Sequence, residues 1–119
     1  MSVVAEKTVS PHVLSQLAGT YEVAHGDAVM NFIRLHPRLA PLLLDARDEI
    51  REAFGAETRT ALDVVHDPEE EDSGMLIAFI QTTLDPDEAL DRLDRFSDGW
   101  WRRAIGSEAV PLHFVNEYV

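Results

Sequence analysis

The sequence predicts an α+β domain: N-terminal helices followed by a β-β-α-β unit that carries a small three-stranded, mostly antiparallel sheet. Three observations carry that expectation. Apolar residues recur at spacings of three and four through residues 10–55. After Gly55 the period falls to two in "TALDVVH" and "GMLIAFIQTT". Helical spacing then returns in "LDPDEALDRLDRF", ahead of a last extended run, "VPLHFVNEYV".

The 119 residues suit one domain, with residues 1–9 as a flexible arm, 10–55 helical and 58–119 forming the β-β-α-β unit. "SPHVLSQLAG" reads as a first helix, with Ser10 as N-cap, Pro11 at the first helical position and Gly19 near the stop. In "HGDAVMNFIRLHP" the residues Val29, Phe32, Ile33 and His36 share one face, and Pro37 forces a break at His36. "RLAPLLLDARDEIREAFG" is the strongest helix, with Leu39, Leu43, Ala46, Ile50 and Ala53 or Phe54 as its apolar stripe and Gly55 as its cap.

In the second strand, Met75, Ile77, Phe79 and Gln81 face one way and Leu76, Ala78, Ile80 and Thr82 the other. Both faces are mostly apolar, which predicts a central strand or one covered on both sides. Asp85, Pro86 and Glu88 form a capping-box start for the next helix, and Leu90, Leu93, Phe96 and Trp100 form its inward stripe. That helix runs on to Ile105, with Gly99 as a weak point and Gly106 as the stop. In the last strand Leu112, Phe114, Asn116 and Tyr118 share a face. Stacking it on the first strand gives the antiparallel sheet; the rival arrangement sets it parallel beside the second through a crossover.

The formal net charge is −12. Such a surface repels nucleic acid and anionic membranes, and attracts a protein partner with a basic surface. Nine of the ten basic residues are arginines, which pair well with carboxylates inside the fold. There are no cysteines, which excludes disulfides and cysteine-held metals. The N-terminus lacks a basic region followed by a long apolar stretch, and the longest apolar run, "LAPLLL", falls far short of the roughly 20 residues of a membrane span. A soluble, cytoplasmic protein is expected.

Asp67, Glu69, Glu70, Glu71 and Asp72 crowd between the two predicted strands. Mutual repulsion sends them to solvent or to a cation. A calcium loop needs glycine at its sixth position, and counted from Asp67 the glycine at 74 comes two residues late. The expectation is a solvated hairpin tip. The five histidines, His12, His25, His36, His66 and His113, show no metal-binding spacing, and there is no nucleophile elbow or phosphate-cradling loop. No catalytic residue, metal or cofactor is therefore expected. "GWWRR" is the segment with partner-binding character, since tryptophan beside arginine is typical of interface hot spots; Trp100, Trp101, Arg102 and Arg103 are the candidate contact residues. On an ideal α-helix Trp100 and Trp101 point about 100° apart, so they cannot both be central on one stripe.

The stretch "LDVVHDPEEED…LIAFIQTTLDPDEALDRLDRFSDGWW" resembles a loosely described group of small uncharacterised bacterial α+β proteins, over roughly residues 58–105. Their genes often neighbour those of toxin ribonucleases, so the resemblance implies an antitoxin-like or accessory role. Its shared motifs are structural, no catalytic residue carries over, and the long acidic tip is a departure. The leading expectation is a noncatalytic acidic protein-interaction module. The alternatives are a metal-assisted hydrolase using His66 with the adjacent carboxylates, and a self-associating structural domain that forms a homodimer through a strand edge or its N-terminal helices.

Overall fold

A computed structural model describes residues 9–66 and 74–119. The acidic segment 67–72 and all of the expected arm except its last residue lie outside the described residues. Val9 itself is buried in the core and is no part of a flexible arm.

Helix α1 spans Pro11–Thr20, strand β1 Glu22–Val23, α2 Gly26–Leu35 and α3 Leu39–Phe54. Strands β2 (Thr60–His66) and β3 (Gly74–Thr82) follow, then α4 (Pro86–Phe96), a π-helical turn (Ser97–Trp101), the short α5 (Arg102–Ile105) and β4 (Leu112–Tyr118). The starts follow local chemistry. Ser10 Oγ accepts from the Val13 N–H, and Asp85 accepts from the N–H groups of Asp87 and Glu88. Each such cap stabilises its helix by about 1 kcal/mol. The reciprocal half of the capping box is not made, because Glu88 turns to Arg92 (3.0 Å) instead. α2 starts without a side-chain cap, from His25 in a left-handed conformation (φ 54°). At the far end Gly106 (φ 61°) takes a backbone geometry that disfavours side chains, and its N–H closes α5 on Arg102 O.

The sheet corrects the expected topology. It has four strands in the order β1-β2-β3-β4, and it is mixed, not three-stranded and mostly antiparallel. β2 and β3 pair antiparallel, but β1 runs parallel to β2, and β4 runs parallel to β3. Two physical reasons account for this. β1 already occupies the free edge of β2, with the Ala24 N–H donating to Leu62 O (3.1 Å). The aromatic end of the α4 crossover also docks over β4: Phe114 lies 4.8 Å from Phe96 and 4.9 Å from Trp101, ring centre to ring centre. The segment 10–55 is thus helical apart from β1.

In β2, β3 and β4 every residue that joins the buried clusters is even-numbered. Leu62, Leu76, Ala78 and Leu112 pack under α1, α2 and α3 through Leu17, Val29, Ile33, Leu39 and Leu43. Ile80 packs with Ile50, Phe54 and Phe96 towards the α4 end. Gly74 is also on this face, and a Cβ there would collide with the buried Phe32 ring. On α4 the buried stripe runs through Ala89 and Phe96, and Leu90, expected inside, is 52% exposed. Ala89 lies seven positions before Phe96, about two turns, so both fall on the one face that α4 turns towards α3 and β4.

Candidate functional site

The Trp–Arg segment sits where α4 becomes α5. The Arg102 N–H donates to Ser97 O, five residues back, so the helix holds one residue more than an α-turn would. That extra residue changes the expected geometry of the tryptophan pair. Trp100 and Trp101 both turn inward, 5.8 Å apart, and both join the second core cluster. Trp100 lies against Phe96 (5.5 Å), and Trp101 against Phe114. Both indoles are half-buried. The two arginines are exposed and held locally: Arg102 pairs with Asp98 (3.1 Å), and the Arg103 guanidinium donates to Gly99 O. The structure therefore brings all four candidate residues to one corner, with the aromatics turned to the core and the cations to solvent. Beside them an open groove between α3 and α4 is lined by Glu49, Glu52, Arg92, Arg95 and Trp100.

The second candidate surface is the odd-numbered face of the sheet, which no helix covers among the described residues. Strand register fixes its rows. Ala61, Phe79 and Val115 lie side by side; Asp63, Ile77 and His113 form the next row, and Val65 and Met75 begin the one beyond. In the opposite direction Arg59, Gln81 and Glu117 form a polar row, with Gln81 donating to both Glu22 (3.1 Å) and Glu117 (3.2 Å). Arg59 approaches Glu22 at 3.6 Å. The face thus has an apolar middle along β3 and charged groups on β2 and β4. Ile77 and Phe79 are half-buried, and Val65 is 54% exposed.

The comparisons with known proteins add nothing to this picture. The chain matches no protein-family model, no curated protein and no solved structure.

Among the described residues no group of three or more histidine, aspartate or glutamate side chains is placed to hold a metal ion. The carboxylates beside His66 lie outside them. The histidines are dispersed: His12, His66 and His113 are exposed, His36 ends α2 and stacks on Phe32 (4.3 Å), and His25 Nδ1 lies 3.2 Å from Asp63. Tyr21 is buried, and its hydroxyl donates to Leu43 O. Burial pushes this phenol well above the ordinary tyrosine range; Arg47 opposes the rise, Asp48 adds to it, and Arg51 opposes it. Asn116 lies on the helix-facing side of β4, and its buried amide finds no hydrogen-bond partner among the described residues. No described helix is long and apolar enough to cross a membrane.

The open face was missed at the level of sequence, although its signal was present. The alternation of β3 shows Met75, Ile77 and Phe79 as a second apolar set, and only the placement of the helices tells which set is left uncovered.

Proposed function

We propose that the protein is a noncatalytic protein-interaction module whose main contact surface is the open face of its sheet. The observation that supports this reading is one-sidedness. Helices α1 to α4 pack on the even-numbered face, while the odd-numbered face keeps an apolar stripe along its central strand. A half-exposed antiparallel pair ordinarily alternates apolar and polar residues, so an apolar second face favours a partner. The Trp–Arg corner supplies a second contact region through the outer edges of Trp100 and Trp101 and the exposed Arg102 and Arg103. The charge of −12 favours a basic partner in particular, as an antitoxin-like or accessory role would require.

A photo-crosslinking amino acid placed at Ile77 and irradiated in cells tests the reading, with the exposed helix position Asp94 as the comparison site. Defined crosslinked bands from position 77 and none from 94 are expected. Equal, diffuse labelling from both positions would remove the support for a specific surface.

A further inference from the structure

We infer that the open sheet face is a self-complementary surface on which a second copy of the chain packs sheet to sheet, about a two-fold axis running nearly along β3. This rests on the interaction-module reading and names its partner.

The argument comes from the arrangement of charge around the apolar stripe. β3 is the middle of three long strands, with β2 on one side and β4 on the other. A two-fold axis along β3 places the partner's β4 over β2 and leaves each residue at its own level along the strands. The residues of the central strand then meet themselves: Ile77 faces its copy, as do Phe79 and Gln81. The flanking polar groups do not meet themselves. At the level of Gln81, Arg59 on the β2 side faces Glu117 on the β4 side of the other copy. At the level of Ile77, Asp63 on β2 faces His113 on β4. Each level holds the complementary pair twice, once on either side of the axis, as an isologous interface requires.

The alternative axis, lying across the strands, sets β2 over β2 and β4 over β4 and cannot match charge and the apolar stripe together. Centred on Ile77 it makes Asp63 confront Asp63; centred on Phe79 it sets Arg59 over Asp63 but lays the apolar Ile77 on the Gln81 amide. Charge and the apolar stripe taken together therefore select one of the two simple ways of stacking the face on itself. Sheets stack about 10 Å apart with their strands crossing at about 30°, so the axis lies about 15° from β3, and Arg59 and Glu117 stay within reach of each other because both side chains are long. The Arg59–Glu22 and Gln81–Glu117 contacts within each copy hold these groups on the face beforehand. Three strands of seven to nine residues span about 10 Å by 23–30 Å, a flat area of roughly 200–300 Å² per copy against about 800 Å² per partner in a standard interface, so a weak, strongly concentration-dependent dimer is expected.

Sedimentation of the full chain across a concentration series decides the matter, with circular dichroism verifying that each variant is folded. The wild type is expected to pass from monomer to dimer, and Phe79→Asp to remain monomeric. Arg59→Glu and Glu117→Arg alone should each weaken the dimer by about tenfold or more, because each creates like-charge contacts at both pairs. Mixing these two singly substituted chains should restore a heterodimer, since every one of its four charges then meets its opposite. A wild type that stays monomeric at every concentration overturns the inference; crosslinking from position 77 to a different protein would in that case leave the interaction-module reading standing. A dimer indifferent to Phe79→Asp, or a mixture that fails to associate better than its components, overturns it as well.

Discussion

Deleting Gly99 should leave the protein folded and slightly more stable. The π-turn is an α-helix with one residue too many, as the Arg102-to-Ser97 hydrogen bond shows. Removing that residue puts Trp100 three positions and Trp101 four positions after Phe96. At about 100° per residue, the two indoles then straddle Phe96 at about −60° and +40°, still facing Phe114 and the core. Gly99 is exposed and a Cβ there would touch nothing within 4 Å, so no packing is lost with it. A glycine removed from a helix interior returns about 1 kcal/mol. For a chain of this length that raises the melting temperature by about 4 °C. Thermal melts followed by far-ultraviolet circular dichroism give the stability, and the near-ultraviolet signal reports the tryptophan environment. Deleting the exposed Asp94 is the contrasting case, since it rotates Phe96 by about 100° out of the core and should cost several kcal/mol. A Gly99 deletion that melts well below the wild type, or loses its near-ultraviolet signal, would refute the account of the turn.

Other substitutions probe the core. Gly74→Ala should destabilise by about 1–3 kcal/mol in urea, because the new Cβ collides with Phe32 Cε1 and comes within 3.1 Å of Cδ1; Phe32→Leu in the same chain should recover part of the loss. Asn116→Leu should stabilise by about 1–2 kcal/mol, since it removes a buried amide without a partner from a position that does not lie on the open face. Tyr21→Phe should cost about 1 kcal/mol at neutral pH through the lost bond to Leu43 O. The folded-state pKa of Tyr21 is raised, so its contribution is complete below about pH 10 and is lost above it, as the unfolded phenol ionises while the folded one keeps its proton. The gap between wild type and Tyr21→Phe should therefore narrow in alkaline solution, by up to about 1.4 kcal/mol per pH unit, and a constant gap to pH 11 would contradict this.

Element type and boundaries were legible where local chemistry decides them. Ser10 and Asp85 mark their helix starts by side-chain capping, and β2 begins and ends where the alternating pattern does. What could not be read were matters of tertiary placement. β1 is two residues long, too short for any period to show. Whether β4 joins β2 or β3 depends on which edge is free and where Phe96 and Trp101 dock on Phe114, and neither is a local property. Ala89 is buried where Leu90 was expected, because the rotation of α4 about its axis is set by its packing on α3 and β4. That both tryptophans could close the end of the core was readable from their size, but not the means, the extra residue of the turn at Gly99. The Trp–Arg corner was recognisable from composition; the open face was not, because β3 is apolar on both sides and its sequence does not say which side the helices take.

The charge of the chain bears on both kinds of partner, and salt separates them. Two copies of net charge −12 repel as wholes, and at low ionic strength, with a Debye length of about 30 Å, that repulsion acts across an entire complex. At about 0.15 M salt the range contracts to about 8 Å, and little is felt beyond the groups that meet on the face. Among them Arg59 and Glu117 are opposite in sign, while the Met75–Ile77–Phe79 stripe depends little on salt. Self-association should therefore tighten as salt rises from about 0.01 M to about 0.15 M. Binding to a basic partner runs the other way, because screening removes attraction between the whole molecules. The sign of the salt dependence thus tells which partner the open face serves, without the partner's identity being known beforehand.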